Sequence, residues 1–217
     1  DLVRIITLLR DPVNGCPWDK VQTHTSIRMN FLEEAYEAVD ALDLDDPVLM
    51  CEELGDVLMQ VAFHTCMEQE TGRFTWEQVC DGVCQKLIER HPNIFGTQPG
   101  YEGITDWDAL KNKEKGRRTL ADDLESVPRA MPALMRAAKL QKRAARHGAA
   151  LQGADAAALA DAAENLQTAQ PASAQAEQAV GELLFAAANL ARQAGVDPEQ
   201  TLQKANEAFC TAAGPVA

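Results

Sequence analysis

The sequence predicts an all-α protein made of two tandem helical bundle units. Three observations carry that expectation. Ala, Leu, Glu and Gln are abundant while aromatic residues make up only 5% of the chain, a helical vocabulary. No window alternates apolar and polar residues for long enough to form a strand. The chain is punctuated by capping and turn residues at the intervals expected between helices. At 217 residues and 46% hydrophobic composition, it can bury a core in one large domain or two of about 100 residues each.

Residues 1–10 read as a short amphipathic helix, stopped by Asp11-Pro12 and the turn-forming run Asn14-Gly15-Cys16-Pro17. Trp18 is expected to pin this loop onto the core. A second helix spans about Thr25 to Leu42. A third opens at Asp46, with Pro47 in the first helical position, and runs to about Glu70 before Gly72. At about 1.5 Å per residue it is the longest rod of the first bundle. Thr75 and Gln78 form a capping-box pair for a fourth helix, which ends before His91-Pro92 because proline disfavours helix in the residue ahead of it. A loop over 93–103 and a short polar helix from Trp107 to Lys115 follow.

Residues 116–128 read as a break, which places the units at 1–118 and 128–217. A basic helix then runs from Pro132 to His147, followed by Ala-rich helices near 155–168, 175–194 and 198–210, the last opened by Asp197-Pro198 as the third is by Asp46-Pro47. Gly55-Asp56-Val57-Leu58-Met59 finds an echo in Gly181-Glu182-Leu183-Leu184-Phe185, and Gln85-Lys86 a looser one in Gln203-Lys204. Two copies of one helical unit explain both.

Charge and cysteine usage narrow the function classes. With 20 Lys and Arg against 33 Asp and Glu, the net charge of −13 repels nucleic-acid backbones and anionic membranes. No apolar run approaches the length of a membrane span. Asp1-Leu2-Val3-Arg4 does not read as a secretory leader. The six cysteines include no C-x-x-C pair and sit in helical runs as small hydrophobes, so a reducing cytoplasm is the expected location.

The chemistry concentrates in the second and third helices. At about 100° per residue, Glu33, Glu34 and Glu37 project from one narrow face, and Glu52, Glu53 and Asp56 repeat the same angles on the next helix. A single such stripe is more often a solvated face. Two matching stripes on antiparallel neighbours, beside Phe31, Leu32, Val57 and Leu58, are expected to line the bundle interior instead. Six carboxylates in one groove need neutralisation. Oxygen-only ligation selects Mg²⁺, with Mn²⁺ as an alternative, over zinc. Mg²⁺ keeps positions for water and phosphate oxygens, so the groove predicts a phosphorylated substrate. A di-iron centre is disfavoured because no histidine follows an acid at the E-x-x-H spacing.

The ordered set Asn14-Gly15-Cys16-Pro17-Trp18-Asp19-Lys20, Gln22-Thr23-His24, the two acid clusters, Lys86 through Gly96, and Pro132 through Arg143 resembles the MazG family of all-α nucleoside triphosphate pyrophosphohydrolases. The resemblance implies hydrolysis between the α- and β-phosphates of a nucleotide. It implies metal ligation by Glu34, Glu37, Glu53 and Asp56, which leaves Glu33 or Glu52 to accept the proton of the attacking water. Lys86 and Arg90 correspond to phosphate-contacting cations, Trp107 to an aromatic near the base, and Asn30 is a further groove-facing substrate candidate. A homodimer is also implied. In the second unit, Gln178, Ala179 and Glu182 stand opposite Glu52, Glu53 and Asp56, too few oxygen ligands for a metal. That unit is expected to be catalytically inert. A non-catalytic helical adaptor that uses the acidic groove to bind a basic partner is the rival from another class, and a narrow pyrimidine dNTPase the rival within the enzymes.

Overall fold

The computed structural model describes residues 1–92, 94–96 and 107–214, and of 107–109 the backbone alone. Its helices are α1 (Leu2–Leu9), α2 (His24–Leu44), α3 (Pro47–Glu70), α4 (Trp76–Arg90), α5 (Trp107–Glu114), α6 (Leu120–Glu125), α7 (Ala133–Arg146), α8 (Ala156–Thr168), α9 (Ala174–Gln193) and α10 (Pro198–Ala213). Among the described residues there is no strand, and no helix is long and apolar enough to cross a membrane. The chain divides into two compact units, 1–105 and 106–217.

In the first unit α3 is the central rod, with α1, α2 and α4 packed against it. Its start is fixed by Asp46, whose Oδ1 accepts from the backbone N–H of Val48 and Leu49, with Pro47 supplying a preset φ. The Thr75–Gln78 capping box of α4 forms as the spacing predicts. Thr23 and Ser26 form a second such box, which starts α2 earlier than its apolar pattern suggests. Ile6, Ile27, Ala62, Phe63, Cys66 and Met67 make the core, with Leu2, Val3, Met59 and Trp76 at its edge. Every buried residue of α3 lies at or after Gln60, so its C-terminal half is the anchored half.

Arg10 ties the loop after α1 to this core. Its guanidinium grips Glu70 through Nε at 2.6 Å and Nη2 at 2.8 Å, and donates Nη1 to the carbonyls of Asp19 and Gln22. It also lies 5.3 Å over the Phe63 ring. Gly15 is obligatory here, since a Cβ would collide with the carbonyl oxygens of Asp11 and Leu9. Trp18 does not pin the loop: it is 56% exposed, and Arg10 does the anchoring instead.

In the second unit α9 packs against α8, α7 and α10. Ala162, Ala179, Ala186 and Ala188 are fully or almost fully buried, so small side chains let these helices approach closely. Glu199 of α10 accepts from the backbone N–H of Met135 in the first turn of α7. The break expected over 116–128 contains α6. This short helix starts at a Thr119–Asp122 capping box and buries Asp123. Cysteines also depart from expectation: Cys66 is buried, but Cys51, Cys84 and Cys210 are exposed, and all six are free thiols.

Candidate active site

Asp45 closes α2 in the left-handed conformation at φ 53°, and Asp46 immediately caps α3. This two-residue reversal lays the helices against one another as antiparallel neighbours and makes the two acidic stripes face each other. One carboxylate oxygen from each of Glu34, Glu37 and Glu53 falls within 4.8 Å of the other two. Asp56 is outside that trio, yet its charge acts on both Glu34 and Glu53.

The electrostatics record this crowding. Loss of hydration, followed by the charges of Glu37, Asp56, Glu52 and Glu34, pushes the Glu53 carboxyl above the usual carboxylate range. Glu34 is raised too. Desolvation is the main cause, and the charges of Asp56, Glu37 and Glu33 add to it. A hydrogen bond from Gln60 Nε2 to Glu34 Oε1, 3.3 Å long, opposes that rise. Mutually repelling carboxylates from two helices, with no Lys, Arg or His paired to Glu34, Glu37 or Glu53 among the described residues, fit a hard divalent cation.

The remaining sequence candidates are spread more widely. Glu33 and Glu52 are exposed, each beside a member of the trio. Asn30 is half-buried one turn earlier on α2. Lys86 and Arg90 occupy α4 at i, i+4, Lys86 exposed and Arg90 half-buried. Trp107 opens α5, and its side chain lies outside the described residues. The acidic stripes do not line a sealed interior, since Glu33, Glu37 and Glu52 are open to solvent. The apolar residues around them are open as well, including Tyr36, Val39, Leu54 and Leu58, each close to half exposed.

Sequence reasoning did not single out Gln60, although a glutamine inside the apolar run from Val57 to Phe63 is a signal for a buried polar role. A second polar cluster adjoins the core. His24 meets Glu68 through Nε2 at 2.5 Å and His64 through Nδ1 at 2.7 Å, and the two imidazoles stack with centroids 5.0 Å apart. Burial, then the neighbouring His24, pushes His64 below the ordinary imidazole range. Arg73 closes the cluster on Glu68 at 2.6 Å.

Comparison with known proteins adds three findings. Residues 22–95 match the MazG nucleotide pyrophosphohydrolase domain. The chain is 41% identical over 217 residues to a nucleoside triphosphate pyrophosphohydrolase of Escherichia coli K12, covering 96% of this chain and 82% of that protein. It is 38% identical over 211 residues to a nucleoside triphosphate pyrophosphohydrolase/pyrophosphatase MazG of Thermotoga maritima, covering 96% and 81%.

Proposed function

Because the chain belongs to the MazG nucleotide pyrophosphohydrolase family, we propose that it hydrolyses nucleoside triphosphates to nucleoside monophosphate and pyrophosphate in the groove between α2 and α3. The observation that carries the placement is the convergence of Glu34, Glu37 and Glu53. Glu34, Glu37, Glu53 and Asp56 would hold Mg²⁺, or Mn²⁺ in its place. A bound divalent ion supplies counter-charge for phosphate oxygens and a site for an ordered water.

The chain's own residues do the rest. Glu33 or Glu52, exposed and not among the ligands, accepts the proton of the water that attacks as the bond between α- and β-phosphates breaks. Lys86 and Arg90, one turn apart on one face of α4, hold phosphate oxygens and offset the charge passing to the pyrophosphate leaving group. Asn30 orients substrate, and Trp107 corresponds, by the family resemblance, to an aromatic near the base.

The functional division follows 1–118 as catalytic unit and 128–217 as inert copy. In the latter, Ala179 is buried and Glu182 accepts a hydrogen bond from Gln178 at 2.8 Å, which leaves no acidic trio among the described residues there. The exposed apolar residues beside the acids support a homodimer, and the free thiols support a cytoplasmic setting.

Pyrophosphate release measured with each ordinary ribo- and deoxynucleoside triphosphate tests the reading and reports base preference. Glu53→Ala is expected to abolish turnover and Glu182→Ala to leave it intact. The opposite pattern would put the active site in the wrong half.

A further inference from the structure

We propose that the compact unit 106–217 carries a metal-independent binding site for a polyphosphate anion, formed by Lys113, Arg117, Arg118, Arg146 and His147. These side chains line a cavity of about 620 Å³ in which no lining residue is acidic. That is a pronounced local excess of positive charge in a chain whose net charge is −13.

The site is built rather than a loose surface patch. Behind it lies Asp123, 1% exposed. Its Oδ2 accepts from Arg146 Nη2 at 2.7 Å and meets His147 Nε2 at 3.2 Å, while Arg143 Nη1 approaches Oδ1 to 3.1 Å. Asn112 also helps to keep this carboxylate ionised, and its own Oδ1 accepts from Arg117 Nη1 at 3.4 Å. One buried carboxylate thereby orients Arg146 and His147, while the Asn112 amide engages Arg117. Gly116, at φ +64°, turns the chain out of α5 so that Arg117 and Arg118 share the cavity with Lys113 one turn back.

Charge decides what belongs there. Asp123 is already shared by Arg143, Arg146 and His147 and leaves no charge for the other cations of the cavity. The nearby Asp122 is engaged by the backbone N–H groups of Arg118 and Thr119. Among the described residues no carboxylate pairs with Lys113, Arg117 or Arg118. Three uncompensated cations on one concave wall suit a compact, multiply charged anion. Guanidinium groups match phosphate oxygens in geometry as well as charge. A long polyanion is disfavoured by the acidic remainder of the molecule. Pyrophosphate and the triphosphate tail of a nucleotide share the required chemistry.

The test is equilibrium binding to the full chain in excess chelator, with inorganic pyrophosphate, orthophosphate and a nucleoside triphosphate as separate probes. Chelation silences the acidic groove, so this result is independent of the hydrolase reading. The expected outcome is saturable pyrophosphate binding that weakens at least about tenfold in Arg117→Ala/Arg118→Ala. Lys86→Ala/Arg90→Ala is expected to change it by less than about twofold, well below the loss of one charged hydrogen bond. Binding of the triphosphate alone, with the same variant pattern, would identify a nucleotide tail as the occupant. Tighter binding of pyrophosphate than orthophosphate supports several cations acting together. Arg117→Gln/Arg118→Gln serves if the alanine pair unfolds. Absence of saturable binding, indifference to both arginine pairs, or loss in the Lys86/Arg90 variant overturns the proposal.

Discussion

The amide of Gln60 donates to the carboxylate of Glu34 across the α2–α3 interface, with Nε2 3.3 Å from Oε1. Gln60 is 7% exposed, and its Oε1 has no hydrogen-bond partner among the described residues. A buried amide left half-paired costs stability, so its worth lies in where it holds Glu34. Gln60→Met keeps the volume and removes the donor. The expected result is an unchanged or higher Tm with Mn²⁺ affinity reduced about 10- to 100-fold, the usual effect of losing a partner that orients a ligand. Equal affinity in both proteins, by titration calorimetry, would show that Glu34 needs no such support.

The crowded carboxylates oppose folding when no cation is bound. Glu53→Gln removes one charge facing Glu37, Asp56, Glu52 and Glu34. In chelator at neutral pH it is expected to raise Tm, and with Mg²⁺ present to eliminate pyrophosphate release. A fall in Tm would mean that the acids are too well hydrated to repel one another.

The same crowding sets a pH dependence. Glu34 and Glu53 both hold protons more readily than ordinary glutamates. Divalent ions bind the deprotonated forms, so affinity should begin to fall at a pH above the ordinary glutamate value of about 4.3. Stability without metal runs the other way. Acids whose folded pKa is raised destabilise the fold when ionised, so the chelated protein gains stability as pH falls through the raised values toward the unfolded ones. Circular dichroism melts over that range, with and without Mn²⁺, should show the two trends diverging.

Asp123 is the reverse case. Burial alone would raise its pKa. Hydrogen bonds from Arg146, Asn112 and His147, together with the charge of Arg143, more than offset this and hold it below the usual range. Its stabilisation is present above the unfolded aspartate value of about 3.9 and is lost as pH falls through the lower folded one. Asp123→Asn leaves Arg143, itself buried, without its counter-charge, at a cost of about 3–5 kcal/mol. Urea unfolding at neutral pH measures that loss, and the variant should also lack this acid-dependent component.

Much of the helical frame was legible. Asp46-Pro47 and Thr75 with Gln78 announce α3 and α4 because a cap is a local signal, decided by neighbours three residues away. α6 escaped because six residues between Gly116 and Pro128 offer no apolar period, although Thr119 and Asp122 carry the same cap spacing. The spacing of Glu33 through Asp56 placed acids on facing stripes. It did not reveal that Glu33, Glu37 and Glu52 stay in water, which depends on how two rods pack. Trp18 was misjudged for a related reason: whether an aromatic lies down on a core depends on a distant partner, and Arg10 already held that place.

α3 is rooted at one end only. From Gln60 onward it is sealed into the core, whereas the turns bearing Glu52, Glu53 and Asp56 include no buried residue. Sub-global opening should therefore start at Pro47 and stop near Gln60. Deuterium uptake along this one helix should be graded, fast where the acids are and slow where Phe63 and Met67 sit. The groove can breathe to admit a ligand while the interior beneath it stays shut.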